Sequence, residues 1–233
     1  MNDPNVLQDT LKAGHSTFEE FRELKVHAEI DKSPPADLLA LNRRIRACRL
    51  CEEAGYIAEA RPVVADGGRW RGMVLIGQAP GIVEHESHRP FGGRAGRELF
   101  RWMAGIGIQE DEFRRRVYMA AMTRCFPGKN PSGSGDRKPS RAEINLCRPW
   151  LESMLELLEP SVLLLVGQLA IERYLPRRRL EDLIGNRYLE GNLELIPLPH
   201  PSGASRWLNA PANRGRLQQG LEHVREAWTG LYV

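Results

Sequence analysis

A histidine set between two prolines, in Pro199-His200-Pro201-Ser202-Gly203, closes the apolar run Leu193–Leu198. An imidazole at the end of a buried strand can donate hydrogen bonds or hold charge near neutral pH. That chemistry stabilises a developing negative charge, although a structural histidine would have the same surroundings. Gly77-Gln78-Ala79-Pro80-Gly81 closes another apolar run, Met73–Ile76. Glycine and proline there make a tight turn that brings backbone N–H groups toward a ligand; an ordinary strand-to-helix turn has the same composition. Arg89-Pro90-Phe91-Gly92-Gly93 holds one aromatic ring in a stiff loop, where it can stack on a flat ligand or plug the core. The fourth feature is the cysteine set Cys48-x-x-Cys51, Cys125 and Cys147. Such close spacing of the first pair suits one metal or cluster better than a disulfide framework. Four thiolates serve tetrahedral zinc and an iron–sulfur cluster alike, and the spacing leaves both open.

These segments need a scaffold that gathers loop ends. Met73–Ile76, Val117–Met122, Val162–Val166 and Leu193–Leu198 are continuous apolar runs, the pattern of parallel strands buried on both faces. Helical stretches alternate with them. Arg94–Ala104 puts Ala95, Leu99, Trp102 and Met103 on one face. Ser140, with Glu143 three residues on, forms a capping box; Pro149 interrupts that helix and Trp150–Leu158 resumes it. Further helices start at Gln168 and span Asn213–Trp228. This alternation predicts an α/β fold, a three-layer α/β/α sandwich with a central four-stranded parallel sheet. Its ligand site lies beyond the carboxyl ends of the strands, where GQAPG, TRC, VGQ and PLPHPSG fall. Residues 1–34 read as a peripheral N-terminal extension with one capped helix, Thr17–Glu29. Residues 35–233 read as a single domain that begins with the helix ADLLALNRRIRA. A polar loop rich in Gly, Ser and Pro runs from Pro127 to Pro139.

The chain has 233 residues, 42% hydrophobic and 27% charged, enough for one well-buried domain and short for two. No apolar run approaches the ~18 residues of a membrane span. Met1–Thr17 lack a basic segment followed by an apolar core, so they do not read as a secretory signal. A cytoplasmic location is expected, and a reducing compartment disfavours disulfides. Nothing points to an oligomer, so a monomer is expected. A net charge of +3 is too weak to imply nucleic acid alone. Arg114–Arg116 and Arg177–Arg179 are local basic clusters that read equally as solvated helix ends.

Taken in order, CRLC, GQAPGIVEHESHRPFGGRAG, TRC, NLC and HPSG resemble the motif series of the uracil-DNA glycosylase superfamily, most closely its iron–sulfur branch, family 4. The resemblance spans residues 45–228. It implies a DNA-repair enzyme that hydrolyses the N-glycosidic bond of uracil in DNA after flipping the nucleotide out of the stack, initiating base excision repair at the nucleoid. It implies that Cys48, Cys51, Cys125 and Cys147 hold a structural [4Fe–4S] cluster. Phe91 would stack on the flipped base, with Gly77 and the backbone of Gln78 and Ala79 against the pyrimidine. Ala121 stands in the strand that reads the uracil edge. His200 would donate to uracil O2 and stabilise the uracil anion. Gln78 and Glu84, with His85 beside it, are candidates for positioning or activating water. The segment Gly203–Asn209 resembles a loop that enters the minor groove, with Ser202 and Arg206 toward DNA and Trp207 or Leu208 as the wedge. Lys129, Arg137 and Lys138 would add phosphate contacts.

The chain departs from the family pattern at three places. Gln78 stands where family 4 has Glu. Ala79 follows it, where the classical branch, which shares the Gln, has a catalytic Asp. Ala120-Ala121 align with the Thr-Asn whose Asn reads uracil. The loop between Cys125 and Cys147 is also long, by the segment around Ser132–Asp136. These features imply a divergent subgroup. Three readings follow: an active glycosylase, a uracil- or abasic-site-binding relative with little turnover, and a zinc-binding α/β protein unrelated to DNA.

Overall fold

The computed structural model describes residues 38–65, 67–68, 71–132, 135–202 and 206–233. The expected N-terminal extension and its helix over Thr17–Glu29 lie outside these residues. The four expected strands are present: β1 Met73–Gly77, β2 Tyr118–Ala121, β3 Val162–Val166 and β5 Leu193–Leu198. They pair in parallel, with Gly77 level with Ala121 and Val166 level with Leu198. Every residue of β1 and β3 is buried, so both faces of the sheet are covered, as their unbroken apolar sequence requires. A fifth strand, β4 Tyr188–Glu190, pairs antiparallel with β5 at the edge, giving the order β2-β1-β3-β5-β4. Sequence reading misses β4 because three residues, none of them buried, carry no clear periodicity.

From β1 the chain moves outward to β2, then crosses back to β3 on the other side of β1. The loops that follow β1 and β3 therefore diverge, and the crevice between them is where such sheets bind ligands. The paired registers keep the strand ends level, so the loops after all four parallel strands open at one edge.

Helices cover the sheet. α1 Leu38–Ala47 buries Leu41 and Ile45, one turn apart, together with Asn42. The buried Asn42 amide is satisfied: it donates to the Ala65 carbonyl at 3.0 Å and accepts from the Tyr118 hydroxyl at 2.7 Å. The short α2 Leu50–Glu53 and α3 Ile82–Ser87 follow C-x-x-C and GQAPG. α4 Arg94–Gly105 buries Leu99, Phe100, Trp102 and Met103. α5 Glu110–Arg116 escapes sequence reading because Phe113 is its one buried side chain. It carries three acidic residues in its first turn and three arginines in its last, the arrangement that complements a helix dipole.

α6 Arg141–Leu158 opens with the expected capping box: Glu143 N donates to Ser140 Oγ at 3.2 Å and Ser140 N to Glu143 Oε2 at 2.7 Å. The expected interruption at Pro149 does not occur; the helix runs through it. Proline lacks the N–H that would pair with the Asn145 carbonyl. Tertiary packing holds the helix across this gap, because Cys147, Trp150, Leu151 and Met154 are buried on either side. α7 Gln168–Tyr174, α8 Leu180–Leu183 and α9 Pro211–Tyr232 complete the layers, with a 3-10 turn at Arg206–Asn209. Among the described residues, no helix is long and apolar enough to cross a membrane.

Candidate active site and cysteine site

A cleft of about 630 Å³ opens at the carboxyl edge of the sheet, within the size range of small-ligand pockets. Gly77, Gln78, Ala79, Glu84, Phe91, Ala121, His200 and Ser202 all line it. The sheet thus gathers every described residue that the sequence assigned to catalysis or base contact except His85. Thr123, Arg124, Asn130, Asp136 and Lys138 line it as well; of these, only Lys138 had been named as a functional residue, and for phosphate contact.

His200 follows β5 through Pro199. The Ser202 backbone N–H donates to His200 Nδ1 at 3.2 Å. Nδ1 is thereby the acceptor, which leaves the proton on Nε2. Burial, and then the nearby Lys138 charge, lower the His200 pKa below its usual value, so the neutral donor form prevails at neutral pH. Gly167, at the end of β3, makes room for the ring: its φ is +88°, and a Cβ there would stand 3.0 Å from His200 Cδ2.

Phe91 packs over the end of β1, where a Cβ on Gly77 would lie 3.0 Å from Phe91 Cζ. Its backbone is left-handed, φ +51°, a strained state for a residue with a Cβ. Arg114 holds this loop. Its Nη1 donates to the Pro90 carbonyl at 2.7 Å and its Nη2 to the Phe91 carbonyl at 3.1 Å, while Nε pairs with Glu110 at 2.8 Å. The guanidinium also sits 4.4 Å from the Phe100 ring centroid. Arg114 is therefore no solvated helix end. Nor is Arg116, whose Nη1 donates to the Tyr232 carbonyl at 2.8 Å.

Glu84 ties two loops together. Its Oε2 accepts from Gly81 N at 3.0 Å and its Oε1 from Gly93 N at 2.8 Å. His85 is not among the residues lining the cleft; its Nε2 lies 3.4 Å from Glu59 and its ring packs on Phe126. Arg137 grips Glu143 at 2.7 and 2.8 Å and the Tyr56 carbonyl at 3.0 Å. Burial pushes Glu143 up, but its hydrogen bonds from Arg137 and Ser140 outweigh that and hold it below the usual carboxylate range. Lys129 pairs with Asp136 at 2.7 Å. Trp207 and Leu208 are half-buried against the core, with the Trp207 carbonyl held by Asn213 Nδ2 at 2.9 Å. The Arg206 side chain and residues 203–205 lie outside the described residues.

A second, smaller void lies behind the cleft. Cys48 just after α1, Cys51 in α2, Cys125 after β2 and Cys147 in α6 all line it, with Ile45, Leu50, Pro62, Leu146 and Trp150 as its apolar wall. None of the four is in a disulfide. Two sulfurs already receive N–H donors: Trp150 Nε1 lies 3.3 Å from Cys48 Sγ and Arg124 N lies 3.2 Å from Cys147 Sγ. Burial first, and Cys48 next, push the Cys51 thiol up to about 11. Burial also raises Cys125 and takes Cys147 to about 12. Four thiols gathered in one place, three of them reluctant to ionise, fit a site whose charge is supplied by metal. Among the described residues, no three His, Cys, Asp or Glu side chains converge on one point suited to a single ion.

The family model described as the uracil DNA glycosylase superfamily matches residues 71–231. A type-4 uracil-DNA glycosylase of Pyrobaculum aerophilum is 30% identical over 195 residues, 79% of this chain and 91% of that protein. The type-4 enzyme of Thermotoga maritima is 27% identical, over 70% of this chain and 80% of its own. That of Saccharolobus solfataricus is 26% identical, over 82% and 85%. The matched span runs from the start of β1 to the end of α9 and includes every cleft-lining residue except Val63, and on this ground the chain belongs to the uracil-DNA glycosylase superfamily.

Proposed function

We propose that the protein is a uracil-DNA glycosylase that hydrolyses the N-glycosidic bond of a flipped deoxyuridine in DNA. The observation that carries this reading is the neutral His200, held by Ser202 with its Nε2 proton available in the cleft that Phe91 flanks. The target base leaves the duplex to reach such a recess. Phe91 stacks on it, and the Gln78–Ala79 backbone contacts its edge. The bond from N1 to the sugar breaks with its electron pair passing to uracil, and His200 Nε2–H donates to O2 where that charge collects. A preformed donor of this kind lowers the barrier by about 2.7–4 kcal/mol. Water adds its oxygen to the sugar carbon and releases its proton, giving free uracil and an abasic site.

Ala79 offers no carboxylate to take that proton, and Glu84 already spends both oxygens on backbone N–H groups. The reading therefore gives Glu84 a positioning role. Gln78 orients the water, and the carboxylates of Glu84 and Asp136 along the cleft favour the positive charge that develops on the sugar. Trp207 and Leu208 flank the segment that would meet the DNA groove.

The four cysteines fit the family's [4Fe–4S] cluster: they surround one void, are free, and receive N–H donors at two sulfurs. Bound there, the cluster supplies a cross-link among α1, α2, α6 and the end of β2, the strand that forms one cleft wall.

A second reading, a relative that binds uracil or abasic DNA with little turnover, is favoured by Ala79 and Ala121, which bring no side-chain group to the two positions where the family places its base and its uracil reader. Release of uracil from a U·G duplex separates the readings: turnover supports the enzyme, and tight binding without release supports the binding relative.

A further inference from the structure

Arg124 is an anomaly in this fold. It is only 2% exposed, and its Nε, Nη1 and Nη2 are all buried with no hydrogen-bond partner among the described residues. Its backbone is fixed at both ends: its carbonyl accepts from Val63 N at 2.7 Å and its N–H donates to Cys147 Sγ at 3.2 Å. The guanidinium carbon lies 5.7 Å from the Tyr118 ring centroid. A cation–π contact at that distance returns far less than an unpaired buried cation loses. Something anionic must therefore stand beside it in the working protein.

Position identifies that anion. Arg124 lines both the cysteine void and the cleft, so it forms part of the wall between them. Thr123, its neighbour in the chain, lines both as well and has an equally unpartnered buried hydroxyl. Of the charged groups around the cysteines, Arg137 is committed to Glu143. Arg124 stands at Cys147: its amide donates to Sγ at 3.2 Å, and it lines the same void as all four cysteines. Four thiolates outweigh the charge of an oxidised iron–sulfur core, so a loaded cluster is a buried anion with this one donor-rich cation at its side.

We propose that Arg124 is the buried counter-cation of the cysteine-bound cluster and, through its place in the shared wall, the residue that couples cluster loading to the shape of the base cleft. This inference rests on the cluster reading above. A cation beside a cluster favours its more negative, reduced state and so raises its midpoint potential. It also neutralises the buried thiolates and protects the cluster from loss.

The test compares anaerobically purified wild type with Arg124→Met, Arg124→Gln and Arg124→Lys, by iron and sulfide content, midpoint potential and the rate at which the brown chromophore bleaches in air. The two neutral variants differ in packing, so failure of one to fold leaves the other. Both are expected to show a lower midpoint potential and several-fold faster bleaching, with Arg124→Lys recovering most of each. Neutral variants that match wild type in potential and bleaching, or that alter only KM for DNA, would overturn the inference and make the cleft ligand the partner of Arg124. A wild-type protein that binds no iron and sulfide would overturn the cluster reading itself and this inference with it.

Discussion

The Ser202 amide donates to Nδ1 of His200 at 3.2 Å, and that one bond decides which nitrogen of the ring can act on a substrate. Protonation at Nδ1 would break it. Burial first, and Lys138 second, depress the His200 pKa, so the folded protein holds the ring neutral below the unfolded value of about 6.5. The sign follows: the stability and activity that depend on the neutral ring are complete above about pH 6.5 and are lost as pH falls through the lower, folded pKa. The rate profile should therefore be flat through neutrality, with its acid limb below the ordinary histidine range. Lys138→Ala removes one of the two causes and should move that limb upward. A limb unchanged in Lys138→Ala, or centred at the ordinary value in wild type, would contradict this.

Arg114 governs Phe91 from outside the cleft. Hydrogen bonds from a charged donor are worth about 1.5–3 kcal/mol, and Arg114 directs two at the Pro90 and Phe91 carbonyls. Arg114→Met should lower stability by about 2 kcal/mol. It should also reduce kcat/KM about 10- to 100-fold through a misplaced ring. Arg114→Lys should recover little, since an ammonium cannot span both carbonyls as the fork does. Denaturant unfolding and steady-state kinetics measure the two effects separately.

Much of this was legible in the sequence, and the failures have physical causes. The parallel strands announced themselves as unbroken apolar runs, and Ser140 with Glu143 announced the start of α6. The expected break at Pro149 did not occur, because local propensity lost to the burial of Cys147, Trp150 and Met154 around it. α5 was invisible because its stability comes from charge order and a single Phe113. At the site, motifs located the loops but could not say what their side chains touch. Glu84 reads as a water activator from its position and proves to bridge Gly81 and Gly93. Arg114 reads as part of a basic run; its spacing of four from Glu110, an ion pair at 2.8 Å, was the one available hint. Arg124 gave no sign, since only three dimensions reveal that a residue beside Cys125 faces two voids.

Glu84 can be tested as a brace. Glu84→Gln sets an amide N–H₂ against one of the two backbone donors, at Gly81 or Gly93. The expected result is a stability loss of about 1–3 kcal/mol and a lower kcat with an unaltered pH profile. Disappearance of a pH limb in this variant would instead identify Glu84 as the group that takes a proton from water.

Removal of the cluster offers a fourth prediction. If iron and sulfide cross-link α1, α2 and α6 to the end of β2, stripping them anaerobically with a chelator should lower Tm and increase hydrogen exchange in α1 and around Thr123. Cys147→Ser should do the same without a chelator. Exchange confined to the protein termini would show that the cysteines contribute no such link.

The most direct test of the account is single-turnover release of uracil from a duplex containing one U·G pair, by cluster-loaded wild type and His200→Ala side by side. The account predicts release by wild type and a rate lower by about 100- to 1,000-fold in the variant, with DNA binding largely retained. Wild-type protein with an intact cluster that releases no uracil, or a His200→Ala variant as fast as wild type, would contradict it.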